Sequence, residues 1–313
     1  MALPVMPHAH GPGAHHAHEA HKLPRRAASL ALALALAMLA AKAWAAWMTG
    51  AFSVVGTLAD SALDVLASLI TLGGTLWARR PADEDHRFGH GKAEALAALA
   101  QGLLLLVAAF LLAVASANRL ANPEPVVMPW AGIAAAAFCI AGTAGLLAYQ
   151  RHVIARTGSI AIKADRLHYA GDIALNASVI LALGLGMTLG WQRADPIFAI
   201  AIAAWLARSG VVVGRHAIDV LMDRSWPDED LDRLRHVAAG VEGVEGVHEI
   251  RTRGAGLHRH ATLHIWVDPA LSLGVAHEVA DSVEAAVRAA FPGVGVLVHV
   301  DPTGHRDLRP PQG

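Results

Sequence analysis

Four ionisable residues sit where hydrocarbon is expected. The stretch "TLADSALDVLASLITL", Thr57 to Leu72, carries Asp60 and Asp64 in an otherwise apolar run. Further on, "DRLHYAGDIALN" carries His168 and Asp172. Both pairs are spaced i,i+4, which on a helix places the two side chains on one face, a turn apart. A carboxylate at mid-bilayer costs about 2.5–3.5 kcal/mol on insertion scales, so such groups need mutual compensation. Two helices whose polar faces meet would gather three carboxylates and one imidazole, a donor set that matches a tetrahedral, Zn²⁺-type ion. The same pattern admits polar helix ends or a carboxylate–histidine proton relay.

Three further groups have metal-ligand chemistry. In "PADEDHRFGHGK", Asp83, His86 and His90 are spaced to hold one ion from a Gly-rich loop, with Glu84 and Asp85 as spare oxygens; a solvated loop is the plainer reading. Towards the C-terminus, His248, His264, His277, His299 and Asp301 fall on neighbouring elements of one small domain, as ligands or as ordinary surface polar positions. His258 and His260 flank a turn and read as exposed. The opening "HAHGPGAHHAHEAHK" holds six histidines among Gly, Pro and Ala. Its composition cannot form a core, so any metal capture there is weak and transient.

The elements that position these groups follow from composition. Of 313 residues, 55% are hydrophobic and 16% charged, against about 45–50% and 25% in ordinary soluble domains; mean hydropathy is +0.42. The excess lies in six runs near 27–48, 51–78, 93–120, 127–149, 159–190 and 195–219, each long enough to span a bilayer. Lys and Arg concentrate before the first run, between the second and third, and between the fourth and fifth, which places both termini in the cytoplasm. The run from residue 27 outlasts a signal-peptide core and reads as a retained span. A lone Cys139 forms no internal disulfide, and no redox chemistry is expected. Lys42 reads as snorkelling to an interface, and Asp165 and Asp195 as solvated helix ends. From Pro227 onward there are 8 basic and 13 acidic residues, and the patterns run helix, strand, strand, helix, strand. The expected fold is therefore a six-helix polytopic membrane domain over 27–226 and a ferredoxin-like αββαβ domain over 227–302. Disordered stretches are expected at 1–26 and 303–313.

With "DSALD", "DEDHRFGHGKAE", "HYAGD" and "HEIRTR…LHIWV…AHEVAD…VHVDP" in this order, the chain closely resembles the cation diffusion facilitator family from about Arg25 to Pro302. The resemblance implies a homodimeric antiporter in a bacterial inner membrane that exports divalent metal against protons; no nucleic-acid partner is expected. It implies transport-site roles for Asp60, Asp64, His168 and Asp172, and a loop site at Asp83, His86 and His90. It also implies a binuclear tail site at the dimer interface formed by His248, His264, His277, His299 and Asp301. Lys92 and Asp223 match a charge pair that links membrane domain and tail in relatives. The His-rich leader lies outside the family's core pattern, and Val300 offers a metal only its backbone.

One imidazole among carboxylates shifts preference from Mn²⁺ towards Zn²⁺, with Fe²⁺, Co²⁺ and Cd²⁺ close behind. A ligating imidazole must be deprotonated, so metal and proton compete at His168. Two other classes fit parts of the pattern. A membrane-anchored metal sensor has no need of ligands at bilayer depth. A metallohydrolase needs an open coordination position, which four protein ligands do not leave.

Overall fold

A computed structural model of the chain describes residues 23–49, 53–122, 129–191, 193–255 and 258–304. The side chains of 42, 44–49, 53–60, 129, 131–132 and 258 lie outside the described residues, as do residues 1–22 and the residues after Gly304. Two compact units meet between Ile218 and Asp219.

Among the described residues, six helices make up the first unit: α1 (Leu23–Thr49), α2 (Ser53–Trp77), α3 (Ala93–Ala121), α4 (Pro129–Thr157), α5 (Ile160–Leu189) and α6 (Ala194–Leu221), whose last residues fall beyond the division. Five of them contain stretches long and apolar enough to cross a membrane, and α2 adds the apolar stretch Ser61–Trp77. Their outer surface is apolar, and polar side chains lie inside among apolar ones such as Leu105 and Ile162. Phe110, Leu111, Phe138 and Leu189 are exposed, whereas Thr71, Gln101, Gln150 and Asp165 are fully buried. In lipid that is the stable arrangement, because hydrocarbon solvates Leu and Phe and leaves polar groups to find partners inside. Helices α3 and α6 approach closely at two glycines: a Cβ on Gly210 would lie 2.9 Å from the Gly102 carbonyl oxygen.

Two helix boundaries differ from the sequence expectation, the first being that of α1, which begins at Leu23 inside the stretch 1–26 expected to be disordered. The "RHVIARTG" segment continues α4 through Thr157 rather than forming a connection. The turn comes at Gly158, whose φ of +66° suits glycine, and Ser159 then caps α5 by accepting from the Ile162 amide.

The second unit has the expected element order: α7 (Asp228–Ala239), β1 (Gly246–Ala255), β2 (His258–Val267), α8 (Leu273–Ala290) and β3 (Val294–Pro302). The sheet runs β1-β2-β3, the first pair antiparallel and the second parallel. Strand alternation sorts its faces. On β2, Ala261, Leu263, Ile265 and Val267 are buried in a core with Leu234 of α7 and Val283 and Val287 of α8. Thr262, His264 and Trp266 therefore point to the opposite face. Trp226, taken from sequence as the last membrane-domain residue, belongs to this core and donates its backbone N–H to Thr252. The core fixes the sheet, and Leu263→Ala is expected to cost about 2–5 kcal/mol.

Candidate metal centres

Asp64 of α2 meets the His168–Asp172 pair of α5. His168 Nε2 lies 2.9 Å from Asp64 Oδ1 and 4.0 Å from Asp172 Oδ2, and one ligand atom from each falls within 4.8 Å of the others. Helix geometry explains the convergence, since Asp172 sits one turn beyond His168 on the same face of α5. Asp60 is on α2, one turn before Asp64, and its side chain lies outside the described residues. His168 is buried while both aspartates keep partial access.

The loop group is also assembled. Asp83 Oδ1 accepts from the His86 backbone N–H at 2.6 Å and lies 3.2 Å from His86 Nδ1. His90 Nε2 lies 3.3 Å from Asp83 Oδ2. The backbone hydrogen bond from His86, followed by its side chain and the charges of His90 and His86, outweighs burial and holds the Asp83 carboxyl below its ordinary value. His90 Nδ1 is 3.2 Å from the Pro81 carbonyl oxygen. A proton donated there leaves Nε2 as the lone-pair nitrogen facing Asp83, the usual outer-shell device for orienting a histidine ligand.

In the tail, register makes the site. His248 pairs with His264, and His264 with His299, so three imidazoles form a row across three strands on the face away from the helices. Asp301, two residues beyond His299 and on its side of β3, receives all three: His264 Nδ1 at 2.8 Å, His248 Nε2 at 3.2 Å and His299 Nε2 at 3.3 Å. Burial alone would raise the Asp301 carboxyl. The His264 hydrogen bond and the charges of His299, His264 and His248 outweigh it and hold the group below its ordinary 3.8. His248 stacks on Trp266, ring centroids 4.4 Å apart. A bulge after His248 carries Glu249 at φ +43°, and its carboxylate lies 3.8 Å from His264 Nε2.

His277 does not join this row. It stands on α8, which packs on the other face of the sheet, and it pairs with Asp281 at 3.7 Å. Lys92 and Asp223 fall in different units. Lys92 precedes α3 as its N-cap, and within the tail Asp223 lies 3.6 Å from Arg253. Asp195 is half-exposed opposite Arg119, but Asp165 is not solvated: it is fully buried, bound by Thr71 and Gln150. Sequence reading also passed over Glu94, which accepts from Ser159 at 2.9 Å, and Tyr169, bound to Ser68 and the Ala31 carbonyl. Their partners come from distant helices, so only the i,i+4 alignment of Asp165 with Tyr169 was available locally.

Comparison with known proteins agrees with this architecture. The family described as the cation efflux transmembrane domain matches residues 28–222, and the cytoplasmic domain of cation efflux proteins matches residues 226–303. The cation-efflux pump FieF of Klebsiella pneumoniae subsp. pneumoniae is 39% identical over 282 residues, covering 90% of this chain and 94% of the relative. FieF of Escherichia coli is 40% identical over 281 residues, covering 90% and 93%. A solved MamM-CTD structure is 30% identical over 24% of this chain and 96% of that one, with a TM-score of 0.23. These matches span nearly the whole chain and show a transporter rather than an enzyme: the chain belongs to the cation diffusion facilitator family of cation efflux proteins.

Proposed function

We propose that this transporter exports Zn²⁺ from the cytoplasm in exchange for protons, with Fe²⁺, Co²⁺ and Cd²⁺ as lesser substrates. The observation that carries the reading is the convergence of Asp64, His168 and Asp172 from two membrane helices. Asp60, one turn away on α2, supplies the fourth ligand. Three carboxylates with one imidazole favour Zn²⁺ over Mn²⁺, and the absence of thiolates keeps binding reversible.

His168 supplies the exchange. A free imidazole titrates near ~6.5, and only its neutral form ligates. Zn²⁺ arriving from the cytoplasm displaces the proton held between His168 and Asp64. On the outward side a proton retakes Nε2 as the ion leaves. The charge of the carboxylates is reduced at each stage, by the dication or by protons, which lowers the cost of placing them at bilayer depth. Both termini lie in the cytoplasm of a bacterial cell, and the transporter sits in its inner membrane.

The tail regulates. Cytoplasmic Zn²⁺ at the tail histidines and Asp301 draws two tails together. The functional unit is a homodimer, a reading supported by the match of residues 226–303 to the cytoplasmic domain of cation efflux proteins. The loop group at Asp83, His86 and His90 binds a further ion near the cytoplasmic surface. The test is Zn²⁺ flux into proteoliposomes under an imposed pH gradient. Flux should follow the gradient and collapse when it is dissipated; flux indifferent to the gradient would reject the exchange.

A further inference from the structure

Beside the Asp64–His168–Asp172 cluster lies a second polar assembly that the transport reading does not use. Asp165 precedes His168 by three residues on α5, about 4.5 Å along the axis, towards the bundle end that bears the 78–92 connection. Its Oδ1 accepts from Thr71 Oγ1 of α2 at 3.3 Å, and its Oδ2 from Gln150 Nε2 of α4 at 2.7 Å. Gln101 Nε2 of α3 donates to Thr71 Oγ1 at 2.8 Å and to the Ala67 carbonyl at 2.6 Å. Four helices thus each send one fully buried polar side chain to one place.

Hydrogen bonding there does not balance. The amide oxygens of both Gln101 and Gln150 are buried without a hydrogen-bond partner. Each belongs to the amide whose nitrogen joins this assembly, Gln150 at Asp165 itself and Gln101 at Thr71, so both orphan acceptors belong to the same buried network. A buried unsatisfied acceptor costs about 1–3 kcal/mol, and here there are two in one network. Protonating Asp165 supplies one hydrogen, enough for one amide oxygen at most. A cation beside Asp165 offers a partner to both amide oxygens once the amides turn towards it.

We propose that Thr71, Gln101, Gln150 and Asp165 form a second cation site in the membrane domain, which stages the partly hydrated divalent cargo next to the cluster. The staging role rests on the transport reading above. A carboxylate, two amide oxygens, a hydroxyl and the Ala67 carbonyl are all hard oxygen ligands, suited to a dication that keeps some water. Rotation of each glutamine amide about its soft terminal torsion turns Oε1 from its present orphaned position towards the ion. The ion trades water for protein oxygen first and for imidazole second. Charge is selected at the first site and softness at the second.

Mn²⁺, a hard and paramagnetic dication, is the probe. Bound Mn²⁺ is counted by electron paramagnetic resonance on full-length protein in nanodiscs, with Asp64→Ala in every sample to disable the cluster. Asp165→Asn is expected to bind one Mn²⁺ fewer per chain than the Asp64→Ala parent. Gln150→Glu, which adds a charge to the ligand set, should tighten that ion by about tenfold or more, an effect that a purely structural role for Gln150 would not produce. Equal Mn²⁺ counts with and without the Asp165 carboxylate, or a Gln150→Glu protein that binds no tighter, would overturn the site. If Asp165→Asn fails to fold, the Gln150→Glu arm decides. Because the readout is equilibrium binding, a failure of Zn²⁺ flux would sink the transport reading and leave this test standing.

Discussion

The membrane cluster and the tail cluster use the same two side-chain types in opposite proportion. On α2 and α5 one imidazole faces aspartates, Asp64 and Asp172 beside His168. On the sheet, three imidazoles face one aspartate, Asp301. The difference follows from where each stands. In hydrocarbon, excess carboxylate makes an empty, ionised site untenable, so it must always hold a metal or protons. On a solvated sheet face no such compulsion exists, and a histidine-rich row can wait empty until metal arrives. One arrangement suits a carrier and the other a sensor.

Experiments that break this contrast are expected to differ in size. The largest effect belongs to Asp172→Ala, which removes a carboxylate from the membrane cluster. Losing an outer-shell partner already lowers metal affinity by about 10–100-fold, so losing a direct ligand should reduce Zn²⁺ flux by at least about 100-fold, with tail binding by calorimetry unchanged. Next is His168→Asp. It makes the membrane site all-carboxylate, and competition flux assays should show Mn²⁺ gaining on Zn²⁺ by about tenfold, with weaker dependence on the pH gradient. A ratio that stays put would mean that the imidazole does not set selectivity.

Effects in the tail are smaller, because they act through coupling. His264→Ala should raise the half-saturating Zn²⁺ concentration for transport by roughly fivefold, the low end of typical coupling between sites, and leave the maximal rate near wild type. Smallest is an acid-side effect on the metal-free tail. The folded Asp301 carboxyl is held below 3.8, so its contribution is present above that value and disappears as pH falls through the lowered one. Asp301→Asn should lower stability by about 1–2 kcal/mol at pH 5 and flatten the acid limb of the unfolding curve; an unchanged limb would mean that the His–Asp contacts carry no stability.

The comparison also explains what was legible beforehand. The membrane pairs could be read because i,i+4 spacing is local: the face shared by His168 and Asp172 is written within five residues. The tail row is not local. His248, His264 and His299 align only through strand register, and His277 matched the family pattern while its helix packs on the other face of the sheet. Asp165 shows the opposite failure. Its position near a helix start suggested solvent, yet Thr71, Gln101 and Gln150 arrive from three other helices to bury it. Element order and the span of each helix were readable from hydropathy, except where α4 ran on to Thr157 through a polar stretch that resembled a loop.

The central claim is that the membrane cluster carries the ion and the tail row only adjusts how readily it does so. The direct measurement is Zn²⁺ flux across proteoliposomes, over a range of Zn²⁺ concentrations, for wild type, Asp64→Ala and His264→Ala side by side. The account predicts no flux above background at any concentration for Asp64→Ala, and for His264→Ala a near-normal maximum reached only at higher Zn²⁺. Saturable flux through Asp64→Ala, or its complete loss in a folded His264→Ala protein, would contradict it.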